Sequence, residues 1–189
     1  MGLEETLSDF GNALVGGAAA LVILAWLWGR LGWVSGLVFL ICFLGVIGSV
    51  VGLKFIAYGV RPSVDETSLF GLSQGAPSGH TALATIVYGG LAAILALVDR
   101  RPRAWAAAGL CAAVIAAVAV TRVTLDKHTA GDVIAGFAVA GIGVGIFAHA
   151  MAVQMRGRSS GAMALFAAVF TLTVLLLVSG IRFNTLALL

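Results

Sequence analysis

The sequence predicts an all-α, polytopic membrane protein with six transmembrane helices in one bundle, and two observations carry that prediction. Of its 189 residues, 61% are hydrophobic and 10% charged, whereas soluble domains carry about a quarter charged residues. Apolar runs recur six times along the chain, each close to the roughly 20 residues that a helix needs to cross a hydrocarbon core. The expected spans are about 12–29, 33–57, 80–98, 104–121, 130–151 and 161–181. Little chain is left over, so residues 1–189 are expected to form a single membrane domain with no soluble one.

The first ten residues carry Glu4, Glu5 and Asp9 without Lys or Arg. That is wrong for a signal peptide, and the segment reads as a short tail or an interfacial amphipathic turn. The first span ends near Trp26 and Trp28, and the second opens at Trp33. With Trp105 at the start of the fourth, these indoles suit interface anchors. Pro62 cannot continue the second helix and is expected to end it. The connection over 58–79 is long, polar and rich in turn residues, and loops of that length are commonly functional. Gly136, Gly141, Gly143 and Gly145 mark the fifth span as a packing seam, because small residues let membrane helices approach closely. Cys42 and Cys111 fall inside apolar spans and read as small buried hydrophobes, with no disulfide expected.

Net charge is +3, but its distribution says more. Six spans put Arg30, Arg100, Arg101, Arg103, Arg156 and Arg158 on one face against Asp99 alone, while the other face holds seven acids and five bases. The positive-inside rule makes the arginine-rich face cytoplasmic. Both termini are then expected outside.

Four polar islands interrupt the apolar runs, all on that outer face: Lys54 with Arg61-Pro62, Pro77-Ser78-Gly79-His80, Arg122, and His128 with Asp132. Ionisable groups at membrane helix ends are costly unless they are used. Lys54 and Arg61 are seven residues apart, about two turns, and share a face if the second helix runs that far. Alone they could equally be snorkelling anchors. Ser78 suits an N-cap, and Gly79 gives an anion access to the amides of a helix start. Alone, the tetrapeptide could be an ordinary capped start beside a stray histidine. His128 and Asp132 are four apart and can pair on one helical face, fixing a tautomer that leaves the other ring nitrogen free as nucleophile or base. A structural His–Asp cap is the plainer alternative, and Asp126 is a competing carboxylate expected to face water. Together, cations, two histidines and a carboxylate are the parts that phosphoryl transfer needs.

Lys54-x6-Arg61-Pro62, Pro77-Ser78-Gly79-His80 and Thr121-Arg122-x5-His128-x3-Asp132 resemble, in order and spacing, the three motifs of the type 2 phosphatidic acid phosphatase superfamily. That group holds the lipid phosphate phosphatases and, more distantly, vanadium haloperoxidases. The resemblance implies that His128 is a nucleophile forming a phosphohistidine, that Asp132 orients it, and that His80 protonates the leaving oxygen and then activates water. Lys54, Arg61, Arg122, Ser78 and the Gly79 amide would hold the phosphate. Thr121 stands where the family usually has Ser, and its hydroxyl could still serve. Many members carry a second Arg near the first motif, where Val60-Arg61-Pro62-Ser63 shows one.

The implied reaction is metal-independent hydrolysis of a lipid phosphate or diphosphate at the outer leaflet of a bacterial inner or plasma membrane. The expected partners are that lipid and the membrane lipids, with no cofactor and no nucleic acid. A phosphotransferase using an acceptor alcohol, an anion transporter or channel, and a metal site of His80, His128 and Asp132 are the competing readings. Lys54, Arg61 and Arg122 would repel a divalent cation, and a haloperoxidase is disfavoured because those relatives are soluble.

Overall fold

The computed structural model describes residues 2–68, 70–99, 101–155 and 161–179. Arg100, Arg156, Arg158 and the last two residues of the expected 161–181 span lie outside the described residues. The described chain is helical, without a strand: α1 (Leu3–Asp9), α2 (Ala13–Leu31), α3 (Trp33–Ala57), α4 (Gly79–Ala84), α5 (Gly90–Val98), α6 (Pro102–Thr124), α7 (Ala130–Met155) and α8 (Ala162–Val178). A π-helical turn, Thr85–Gly89, joins α4 and α5 into one span, Gly79–Val98. Five spans are long and apolar enough to cross a membrane, and α8 is a shorter apolar helix. The protein is therefore a polytopic all-α bundle.

The boundaries have local causes. Asn12 caps α2 by accepting from the Leu14 amide at 2.9 Å, the usual use of such a side chain. Gly32, at φ 99°, turns the chain between α2 and α3. α3 stops before Pro62: Tyr58 is extended and Gly59 takes φ 85°, the left-handed conformation with which glycine closes helices. Lys54 and Arg61 therefore do not share a helical face. α6 begins with Pro102 at its first turn, where the missing N–H costs nothing. It runs to Thr124, which puts Arg122 in its last turn. The acidic N-terminal segment is a true helix, α1, rather than a tail.

Span Gly79–Val98 is the centre of the bundle. Of its apolar stretch 72% is buried, against 28–33% for the other four spans. It packs on α6 and α7, while α2 packs on α3 and α8. Thr85 Oγ1 donates to the Thr81 carbonyl at 2.7 Å at the head of the π turn, a back-bond that competes with the helix ladder. Below it, Phe39 meets Phe147 edge-on at 5.5 Å, and Tyr88 is fully buried.

The glycine seam of α7 is half as long as the sequence suggests. A Cβ on Gly136 would lie 2.5 Å from the Ser78 carbonyl oxygen, and one on Gly143 2.5 Å from Val46 Cγ2, whereas Gly141 and Gly145 face open space. Cys42 and Cys111 are buried and unbridged. Trp28, Trp33 and Trp105 are exposed at one end of the bundle, the end opposite the polar islands.

Candidate active site

The first turn of α7 is clamped by the loop that precedes α4. Thr129 Oγ1 donates to the Gly71 carbonyl and accepts from the Asp132 amide at 3.1 Å. Gly131 lets that loop lie flat, since a Cβ there would run into the Phe70 carbonyl. Asp132 is fully buried, and its carboxylate has four donors around it. Ser73 N reaches Oδ1 at 2.8 Å and Ser73 Oγ reaches Oδ2 at 2.5 Å, with Thr129 N at 3.2 Å and His128 Nδ1 at 3.3 Å on Oδ2. A carboxylate so saturated stays put and holds the imidazole, leaving Nε2 of His128 uncommitted.

Ser73 is the residue that the sequence did not single out. It sits in an irregular loop with no motif around it, and the distant pairing with Asp132 exists only in the fold. The one local sign is its turn chemistry, with Ser73 Oγ accepting from the Gly75 amide at 3.1 Å. Gly75 in turn makes room for the His128 ring: a Cβ would stand 3.0 Å from His128 Cε1. Asp126, the alternative carboxylate, is exposed in the turn after α6, at φ 52°.

The α4 start is locked to the same carboxylate residue, because Ser78 N donates to the Asp132 carbonyl at 2.9 Å. Contrary to expectation, the Ser78 hydroxyl does not cap the helix; it accepts from Thr81 Oγ1 at 3.1 Å. The leading amides of this 20-residue span thus have no side-chain cap, the condition in which a helix start attracts anions. Gly79 faces Lys54, whose Nζ would lie 3.9 Å from a Cβ at that position. Arg122 and Lys54 are close enough for their charges to bear on His80.

Arg122 lies behind His128, and its carbonyl accepts from both Lys127 N and His128 N at 3.1 Å. Its Nη1 donates to Ser8 Oγ at 3.0 Å, and its Nε is buried without a partner. A buried guanidinium N–H left open is costly and suits an oxygen-rich anion. Arg61 makes no hydrogen bond or ion pair with the described residues. Its segment is pinned beside the Ser73 loop, where Pro62 O accepts from Gln74 N at 3.0 Å. The Thr121 hydroxyl donates to the Val118 carbonyl at 2.9 Å, so in this arrangement it has no proton to offer an anion.

The structure thus gathers Lys54, Ser78, Gly79, His80, Arg122, His128 and Asp132 at one end of the bundle. Burial, then the Arg122 charge, pushes the His128 imidazole down from 6.5 to about 4, against the opposing pull of Asp132. A neutral, oriented imidazole beside cations has the chemistry to attack an anionic centre. Among the described residues no three His, Cys, Asp or Glu side chains gather as metal ligands.

No curated protein and no solved structure matches the chain. The profile of the PAP2 superfamily does match it, over residues 33–156. That stretch begins with α3 and ends just beyond α7, so it contains the helices that bring the histidines, the carboxylate and Lys54 and Arg122 together. The chain belongs to the PAP2 superfamily, a membership that supports phosphatase activity on phosphate esters.

Proposed function

We propose that the protein hydrolyses a phosphate or diphosphate monoester carried by a membrane lipid, through a phosphohistidine at His128, on the non-cytoplasmic face. The observation that carries the reading is the His128–Asp132 pair with its donor-saturated carboxylate. In the first step His128 Nε2 forms a bond to phosphorus as the ester P–O bond breaks, and His80 gives its proton to the leaving oxygen. In the second, His80 takes a proton from water as that water attacks phosphorus, and the N–P bond breaks to release phosphate. Lys54, Arg122 and the α4 amides neutralise the equatorial oxygens, with Arg61 as a further cation on the neighbouring loop. Side-chain cations do here the work that Mg²⁺ performs in kinases.

A lipid substrate is supported by an apolar groove of about 460 Å³, walled by Gly89 and Ala92, by Ala112, Ala116 and Ala119 of α6, and by Phe137 of α7. Ala119 is one turn from Arg122, and groove-lining Val133 adjoins Asp132. In this reading the hydrocarbon chain of the substrate lies along that groove. Leaflet assignment rests on the arginine count.

Phosphate release from purified lipid phosphates in detergent, with and without EDTA, tests this. Release should survive chelation and need no added acceptor. His128→Ala should lose several orders of magnitude. Transfer only to an added alcohol would make the protein a phosphotransferase. A variant keeping more than about a tenth of the activity would overturn the phosphohistidine.

A further inference from the structure

One more element reaches the site, and it lies outside the matched residues 33–156. α1 packs against α6, and Ser8, only 4% exposed, accepts the hydrogen bond from Arg122 Nη1 at 3.0 Å. The Asp9 carboxylate attracts the same guanidinium. Two residues later the chain is seated on the general acid's own backbone: a Cβ on Gly11 would lie 2.6 Å from the His80 carbonyl oxygen. Meanwhile Arg122 Nε, on another edge of the fork, is buried and open.

We infer that α1 is a positioning element of the active site, in which Ser8, assisted by Asp9, fixes Arg122 so that Nε points at the bound phosphate. The inference rests on the reading of Arg122 as a phosphate ligand. A guanidinium is a rigid planar fork, so holding Nη1 sets where Nε points. A long side chain ordered before the anion arrives binds it more tightly, because the ordering is not charged to binding. Ser8 touches neither substrate nor reacting atoms; it acts through Arg122.

The test is a double-mutant cycle in purified full-length protein, read as inhibition by inorganic phosphate together with KM and kcat. Ser8→Ala should weaken phosphate inhibition and raise KM by about tenfold or more, the range for a hydrogen bond to a charged group, with a smaller fall in kcat. Ser8→Thr, which keeps the hydroxyl, should restore wild-type values. Arg122→Lys should weaken phosphate on its own, and adding Ser8→Ala to it should change affinity by less than about twofold. If Arg122→Lys leaves phosphate affinity intact, the phosphate-ligand reading fails and takes this inference with it. If Arg122→Lys weakens phosphate but Ser8→Ala does not, or costs as much in both backgrounds, the inference alone is overturned. Should Ser8→Ala lower the melting temperature, Ser8→Cys, of similar size and a weak acceptor, is read in the same cycle.

Discussion

At the scale of single residues, the site works by asymmetry between its two best-ordered groups. Asp132 is saturated with donors, whereas His128 is pushed from 6.5 to about 4 by burial first and by Arg122 next. Between those two pH values the unfolded chain binds a proton at His128 that the folded protein does not. The contribution to stability therefore rises with pH across that window and is lost as pH falls through it. The His128 imidazole, for its part, stays neutral down to about pH 4. Titration of histidine-labelled protein by NMR should find a His128 midpoint near 4, lower still in Asp132→Asn, where the opposing charge is gone. A midpoint at 6.5 or above would remove the physical basis for a neutral nucleophile at mildly acid pH. Ser73→Ala, which deletes the 2.5 Å contact to Oδ2, should lower kcat about tenfold with KM nearly unchanged, as loss of one hydrogen bond to a charged group implies. A rise in KM at constant kcat would show instead that Ser73 binds substrate. His128 and Asp132 were legible in the sequence because they are four residues apart on one helix. Ser73 was not, because its 59-residue separation from Asp132 is closed only by the fold.

At the scale of elements, helix ends decide what each side chain can do. Lys54 was readable from an apolar run that ends in a cation, and it does reach the α4 start. The shared face with Arg61 was not, because Gly59 ends α3 before Pro62 can. Nor could the sequence distinguish a capping Ser78 from one whose hydroxyl turns to Thr81. Two glycines at this junction make opposite predictions. Gly136→Ala would push a Cβ to 2.5 Å from the Ser78 carbonyl oxygen, an overpacking worth about 1–3 kcal/mol, and should lower the melting temperature. Gly79→Ala meets nothing nearer than 3.9 Å, so the fold should hold. Its methyl would nonetheless stand 3.9 Å from Lys54 Nζ at the α4 start, where the proposed function puts the phosphate. Phosphate inhibition should weaken severalfold without a change in melting temperature. Equal loss of stability in both variants would show that Gly79 is needed for packing rather than for anion access.

At the scale of the whole molecule, helix parity gathers the chemistry. α3 and α6 end where α4 and α7 begin, so residues far apart in sequence meet at one end of the bundle. That much followed from counting apolar runs, although the α1 contact on Arg122 had no sequence signal beyond a serine in an acidic segment. Parity also ties the position of the site to the orientation of the chain. Arg30, Arg101 and Arg103 lie at helix ends opposite the site, and cytoplasmic loops are the ones rich in Lys and Arg. The site should therefore open away from the cytoplasm, where the proposed lipid substrate would be met in the outer leaflet. Accessibility labelling can decide this in intact cells, using an impermeant thiol reagent and a background with Cys42→Ala and Cys111→Ala. Ser68→Cys, in the exposed loop before α4, should label, and Ser159→Cys, between α7 and α8 in sequence, should label only after lysis. The reverse pattern would turn the bundle over, make the chemistry cytoplasmic, and limit the substrate to lipid phosphates of the inner leaflet.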